Sequence, residues 1–326
     1  MEQRRLGKTG RNVSIVGLGT WQLGADWGNV DHGQAQAILA ASAEAGVTFF
    51  DTADVYGDGK SEQAIGAFLK DNPGLDITVA TKMGRRVDQQ PEHYSLANFR
   101  QWVDRSRKNL GTDSLDLVQL HCPPTSVYSN AEVYDALDTL VSEGSIRAYG
   151  VSVERTDEAL EAIRHPGTAS VQIIFNAFRL KPLDEVLPAA KAADVGIIAR
   201  VPLASGLLSG KYTKDTSFAE DDHRNYNRAG ESFDVGETFS GVDYGLGLKA
   251  VAEFEQLVPS GVGTAQAAIA WIAAQGGVTT VIPGARTVDQ ATANAAAAGV
   301  SLNGEFDEGV RWIYDHYFRE AIHPRW

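Results

Sequence analysis

"VTFFDTADVYGDGKSEQAIGAFL", residues 47–69, holds one complete structural unit in a single line. The apolar run 47–52 reads as a strand, and it closes on an acid, Asp51. A loop carrying Tyr56 and a Gly-Asp-Gly turn follows, and Ser61-Glu62 then reads as the capped start of a helix running from Glu62 to Leu69. Outward from this unit the same alternation recurs. Strand-like runs occupy 14–19, 77–82, 114–121, 145–152, 170–176, 195–202 and 278–284, which with 47–52 makes eight. Helix-like stretches lie between them at Gln34–Glu44, Ala97–Leu110, Ala131–Ser142, Asp184–Ala193, Ala265–Ala274 (with Thr264 as its cap) and Val288–Ala298. Strands apolar on both faces suit a parallel sheet covered by helices, and eight consecutive βα units in 326 residues predict a closed (β/α)8 TIM barrel. A doubly wound open sheet is the competing layout.

No composition shift or Pro/Ser-rich linker breaks the chain, so residues 1–326 are expected to form one barrel domain. Three segments stand outside the eightfold pattern. Residues around Gly7–Gly10 read as an N-terminal β-hairpin that plugs the barrel floor. The polar stretch 211–249 after the seventh strand reads as a long loop, a lid in which Arg224 is a candidate phosphate contact. An aromatic C-terminal helix, with Trp312 and Trp326, is expected to pack on the barrel.

The charge balance excludes several functions. With 29 basic against 42 acidic residues the net charge is -13, which disfavours a nucleic-acid backbone or an anionic membrane as partner. No apolar run approaches the ~18 residues of a membrane span, the first ten residues carry no apolar signal core, and one cysteine rules out an intrachain disulfide; a cytoplasmic protein is expected. The seven histidines never fall into metal-ligand spacing, and a G-x-S-x-G elbow is absent.

In a barrel the reactive groups come from the C-terminal strand ends and the loops after them. Asp51 closes the second strand, Tyr56 follows it, Lys82 closes the third strand and His121 the fourth. The set has a chemical logic. An ammonium beside a phenol lowers its pKa from ~10, and a carboxylate keeps a buried lysine charged. Asp51 is thus placed for Lys82, and Lys82 for Tyr56, while His121 donates to a carbonyl oxygen that becomes more negative as a nucleophile arrives. No side chain supplies that nucleophile, which implies a hydride from a cofactor. Cys122 is expected to point away from the His121 side of the sheet, into the core.

"GLGTW", "FFDTADVYGDGKSE", "VATKMG", "LDLVQLHCPP", "GVS", "VPLASGLLSGKY" and "IPGAR", in this order, resemble the aldo-keto reductase superfamily over nearly the whole chain. The resemblance implies an NADPH-dependent reductase of a small-molecule carbonyl substrate, with Tyr56 as general acid, Lys82 tuning it, Asp51 supporting Lys82 and His121 orienting the carbonyl. It also raises a rival reading, because potassium-channel β-subunits share the fold and cofactor and act through a partner.

The dinucleotide needs a site other than a Rossmann fingerprint, since Gln22 stands where the third glycine after Gly17 and Gly19 belongs. "SGLLSGKY" fails as a P-loop, with Ser205 for its first glycine and Tyr212 for its final Ser or Thr. The loops after strands seven and eight offer Ser205, Gly206, Leu207 and Lys211, then Gly284 and Arg286 before a helix start. By the resemblance, Arg286, Gln290 and Asn294 grip the 2'-phosphate of NADP, Ser152 and Gln172 bond the nicotinamide carboxamide, and Thr20 and Asp51 line the ribose. Gly19, Trp21, Pro202 and Leu203 complete the expected cofactor neighbours. Two positions depart from the family pattern. Val153 follows Ser152 where an Asn is usual, and Arg200 replaces the aromatic residue that stacks on the nicotinamide; it either stacks there itself, favouring the reduced cofactor, or pairs with an acidic loop residue. Trp21, Trp27, Tyr56 and His121 are expected to form an apolar substrate mouth.

Overall fold

The computed structural model describes residues 1–24, 30–220 and 222–326. Strands β1 (Gln3–Arg5) and β2 (Asn12–Ser14) pair antiparallel, with Gln3 opposite Ser14. The barrel strands follow: β3 (Leu18–Gly19), β4 (Phe49–Asp51), β5 (Thr78–Met83), β6 (Leu117–His121), β7 (Tyr149–Ser152), β8 (Thr168–Ile174), β9 (Gly196–Arg200) and β10 (Val278–Val281). They pair in parallel in sequence order. Bridges Val16–Val281 and Gly19–Gly284 join the first barrel strand to the last. The chain is therefore a (β/α)8 barrel, and the open doubly wound sheet is excluded.

The outer helices are α1 (His32–Glu44), α2 (Lys60–Asp71), α3 (Leu96–Leu110), α4 (Ala131–Ser142), α5 (Thr156–Ile163), α6 (Val186–Ala192), α7 (His223–Tyr226), α8 (Tyr244–Leu257), α9 (Thr264–Ala274), α10 (Val288–Ala296), α11 (Gly304–Tyr317) and α12 (Arg319–Ile322). Several begin on the side-chain caps that a helix start needs: Asp31, Asn130, Thr287 and Asn303 each accept a backbone N–H of the first turn. Two caps read from the sequence are corrected. Ser61 lies inside α2, whose N-cap is Gly59; its hydroxyl is buried against Thr20 and Thr52 at 2.8 Å. Gly263, one residue before Thr264, is the N-cap of α9. Helix α8 begins within the stretch 211–249 read as loop, because its start depends on Asp243 accepting the Leu246 N–H at 2.8 Å and on burial of Ala250, Val251 and Phe254. Among the described residues, no helix is long and apolar enough to cross a membrane.

Strand alternation sorts the barrel interior into a floor and a rim. Phe49, Ala80, Leu117, Ala148 and Ile198 belong to one buried apolar cluster. Polar residues two or four positions further along the same strands, Asp51, Lys82, Gln119, His121, Ser152 and Arg200, fall at the C-terminal end. Leu6 and Val13 of the hairpin complete the floor cluster, which is the expected plug. The turn between them must come very close to the barrel. Gly7 has φ +46°, and a Cβ there would lie 2.3 Å from the Ala169 carbonyl oxygen.

Candidate active site

The buried amine of Lys82 organises the rim. Its Nζ donates to Asp51 Oδ1 at 2.5 Å, to the Thr52 carbonyl at 2.8 Å and to the Tyr56 hydroxyl at 3.3 Å. Burial alone would lower the Lys82 pKa, but Asp51 and then Tyr56 outweigh it and raise it, so the amine is held charged. Asp51 is itself held from two further sides, by Gln172 Nε2 at 2.7 Å and Gln119 Nε2 at 3.3 Å. A carboxylate at such a depth needs these donors. Gln119 was not singled out in the sequence; its position two residues before His121 on an inward-facing strand is the signal that marks it.

Tyr56 is carried by a tight turn, Tyr56–Gly59, lodged against the loop after β3. Gly57 has φ +57°, and a Cβ on it would come 1.8 Å from the Gly24 carbonyl oxygen, so only glycine permits this crossing. The Tyr56 ring stacks with Trp21 at 6.0 Å and meets the His121 ring edge-on at 5.9 Å. Burial raises the Tyr56 pKa and outweighs the opposing pull of Lys82; the net direction is up. Lys82 acts in the expected direction, but desolvation of a phenolate at this depth is the larger effect. The hydroxyl therefore carries its proton at neutral pH. His121 is pushed well below the ordinary histidine range by burial and then by Arg85, Lys82 and Arg200. A neutral imidazole retains one N–H to donate.

These groups border one cavity of 470 Å³. Asp51, Tyr56, His121 and Trp21 line one part, with Gly19, Thr20, Ser152 and Gln172 beside them. Arg200, Pro202, Leu203, Ser205, Gly206 and Lys211 continue the wall after β9, and Gly284, Arg286, Gln290 and Asn294 after β10. Lys82 lies beneath the wall, 1% exposed. Leu207 departs from the expected set, since its buried side chain turns toward Gly247 of α8. Trp27 lies outside the described residues. The stretch after β9 also adds Val201, Ser209, Tyr212, His223, Arg224 and Glu237 to the wall, of which only Arg224 was picked out in the sequence. His223 sits 5.5 Å from the Trp21 ring.

Several expected roles meet a competing partner. One N–H of the Gln172 amide is given to Asp51, which leaves the other N–H and the carbonyl oxygen for any further partner. Gln290 accepts the Arg286 backbone N–H at 2.8 Å, Asn294 donates to the Gly284 carbonyl at 3.1 Å, and Ser205 Oγ is spent between Glu237 and Phe239. Arg286 presents an exposed side chain just before α10. Of the two readings for Arg200, pairing is what the side chain does: Nη2 lies 2.9 Å from Glu154 and Nη1 3.3 Å from Glu237. Cys122 is also corrected. Strand alternation stops at His121, Cys122 takes φ +45°, and its Sγ lies 3.5 Å from Ser152 Oγ and 3.7 Å from Arg200 instead of in the core behind the sheet. Burial pushes its thiol up to about 12, which makes it a poor nucleophile. Val153 is fully buried in the core that packs the helices on the barrel.

Comparison with known proteins agrees with this geometry. The sequence profile of the aldo/keto reductase family matches residues 15–308. The aldo-keto reductase YhdN of Bacillus subtilis is 30% identical over 99% of this chain and 97% of its own length. A probable voltage-gated potassium channel β-subunit of rice, Oryza sativa, is 32% identical over 92% of each chain. Among solved structures, the glycerol dehydrogenase of Gluconobacter oxydans superposes with a TM-score of 0.82 at 29% identity, covering 99% of this chain and 98% of that one. An aldo-keto reductase of Bacillus halodurans in its holo form gives 0.78 at 26% identity, covering 99% of each chain. A barrel whose lysine links a buried aspartate to a tyrosine at the cavity wall, matched over this length, places the chain in the aldo/keto reductase family.

Proposed function

We propose that this protein is an NADP-dependent oxidoreductase that reduces an aldehyde or ketone to an alcohol, with Tyr56 as proton donor. One observation carries the reading: Lys82 Nζ touches both Asp51 and the Tyr56 hydroxyl, and that hydroxyl and His121 border the same cavity. The residues present fit a dinucleotide phosphate. The exposed guanidinium of Arg286 stands at the cavity edge beside the N-terminus of α10, where a fork of donors and the helix dipole both favour an anion. NADPH, when bound, supplies the hydride for which the side chains have no equivalent.

The chain's own groups handle the proton and the charge. Neutral His121 donates a hydrogen bond that holds a carbonyl oxygen toward Tyr56. Tyr56, protonated at rest, gives its proton to that oxygen as negative charge develops there. Lys82 then faces the phenolate at 3.3 Å and stabilises it, while Asp51 keeps Lys82 charged. Trp21 stacks beside the Tyr56 ring at 6.0 Å and lines the same cavity.

Loss of NADPH absorbance with a panel of aldehydes and ketones tests the reading. Tyr56→Phe is expected to keep NADPH affinity and to lower turnover by about 100-fold or more; a variant with wild-type turnover refutes the assignment of the acid. Tight NADPH binding without oxidation by any carbonyl would favour the partner-directed role suggested by the rice β-subunit.

A further inference from the structure

Glu237 ends the short turn Val235–Glu237 on the stretch between β9 and α8, and its carboxylate turns inward. Its Oε1 lies 3.3 Å from Arg200 at the end of β9 and 3.7 Å from Arg85 after β5. Both arginines also reach Glu154 after β7, Arg200 at 2.9 Å and Arg85 at 3.7 Å. The result is a closed ring of two acids and two bases. Two members belong to barrel loops, one ends strand β9, and one belongs to the stretch that covers the cavity.

The neighbours of Glu237 are held by separate contacts. Ser205 Oγ donates to the Glu237 carbonyl at 2.9 Å and accepts the Phe239 N–H at 3.0 Å. Asn176 donates to Ser240 Oγ at 2.7 Å. Trp326 donates to Asp234 at 3.1 Å, and the Arg179 guanidinium lies 4.1 Å from its ring. These contacts dock the stretch; among the described residues, Glu237 is the member of the stretch that ion-pairs with Arg200, which lines the cavity.

We propose that Glu237 is a positioning residue: by entering between Arg85 and Arg200 it makes the closure of residues 222–243 over the cavity and the seating of Arg200 on the cavity wall a single event. Removal of the Glu237 carboxylate leaves Arg200 with Glu154 and the Val153 carbonyl at 3.0 Å, both on the barrel, and loosens the covering stretch around 236–241. The inference about cofactor exchange rests on the reading of this cavity as an NADPH site; the inference about closure does not.

The groups that face the two acids come from several elements: Tyr56 after β4, Arg85 after β5, Cys122 and Tyr128 after β6, Arg179 after β8, Arg200 on β9, and Asp234 and His223 on the covering stretch itself. Burial raises the Glu154 pKa, against the pull of Arg200, and the Glu237 charge raises it further. Glu237 is held low: burial would raise it, and Arg200 and Arg85 more than offset that. Closed, the pair thus keeps one proton on Glu154. Opening removes the Glu237 charge and lowers the Glu154 pKa, so the closed form binds the proton more strongly and weakens as pH rises through the raised value.

Hydrogen exchange on the cofactor-free protein tests this. Glu237→Gln is expected to speed exchange of the amides at 236–241 by about ten-fold near pH 6, with β5–β8 unchanged. With the intrinsic base-catalysed rate divided out, protection there in the wild type should fall as pH rises from about 6 to about 8.5, and Glu154→Gln, whose amide stands in for the protonated acid, should lose that residual dependence. Arg85→Gln, at a partly exposed site, provides a second variant should Glu237→Gln fail to fold, with the same direction expected. In the loaded protein, Glu237→Gln should speed NADPH release about ten-fold. Wild-type exchange at 236–241 in both Glu237→Gln and Arg85→Gln overturns the proposal. Failure of wild type to bind NADPH overturns the functional reading and leaves the exchange result standing.

Discussion

Lys82 shows how a residue type gains its chemistry from its surroundings. The amine is 1% exposed and pairs with an equally buried Asp51, so each charge is tolerated only because of the other. Lys82→Met is expected to destabilise the fold by about 3–5 kcal/mol, since it leaves Asp51 uncompensated; the double variant Asp51→Asn/Lys82→Met should recover part of that loss in chemical denaturation. Denaturation midpoints in which the double variant is no better than the sum of the singles would sink the coupling. Asp54 tells a different story three residues along. Both its carboxylate oxygens are buried, and burial, with a smaller push from Glu62, raises its pKa to about 7 against the pull of Arg86, Arg105 and the Val55 N–H. A raised carboxyl binds its proton more tightly in the folded state, so its stabilising contribution is full below the unfolded value and is lost as pH rises through about 7. Asp54→Asn should therefore flatten the decline of Tm between about pH 5 and about pH 8. An unchanged slope would mean that other groups govern it.

At the scale of elements, the turn that carries Tyr56 depends on a crossing of two loops that only glycine allows. Gly57→Ala forces a Cβ against the Gly24 carbonyl in a left-handed conformation, and a cost of about 1–3 kcal/mol in stability is expected. Because Tyr56 is adjacent, catalytic turnover should fall more steeply than NADPH affinity; a variant with wild-type kinetics would show that the turn does not set the hydroxyl position. The same scale explains what was legible. Apolar runs ending in Asp51, Lys82 and His121 announced strands and their functional ends, because alternation is a local property. The caps of α2 and α9 were misplaced by one or two residues, because a serine or threonine near a helix start signals a cap whether or not its hydroxyl has a better partner, as Ser61 has in Thr20 and Thr52. Helix α8 was read as loop for a related reason: its start rests on Asp243 and on burial against the barrel, and neither shows in a polar stretch.

Across the whole molecule, the hairpin and the rim stand at opposite ends of the barrel interior. Leu6 is fully buried in the floor cluster, so Leu6→Ala should cost about 2–5 kcal/mol in unfolding free energy while leaving the kinetics of the folded enzyme unchanged. Altered substrate kinetics at full folding would show that floor and rim are not independent. The sequence by itself determined the βα order, the barrel and the residue types at the strand ends, since periodicity, turn residues and strand polarity are encoded over a few positions. Only the tertiary structure decided that Gln119 and Gln172 brace Asp51, that burial sets the Tyr56 pKa, and that Glu237 reaches Arg85 and Arg200. Those pairings join loops far apart in the chain, and their geometry follows from barrel closure and loop conformation, which no local pattern records.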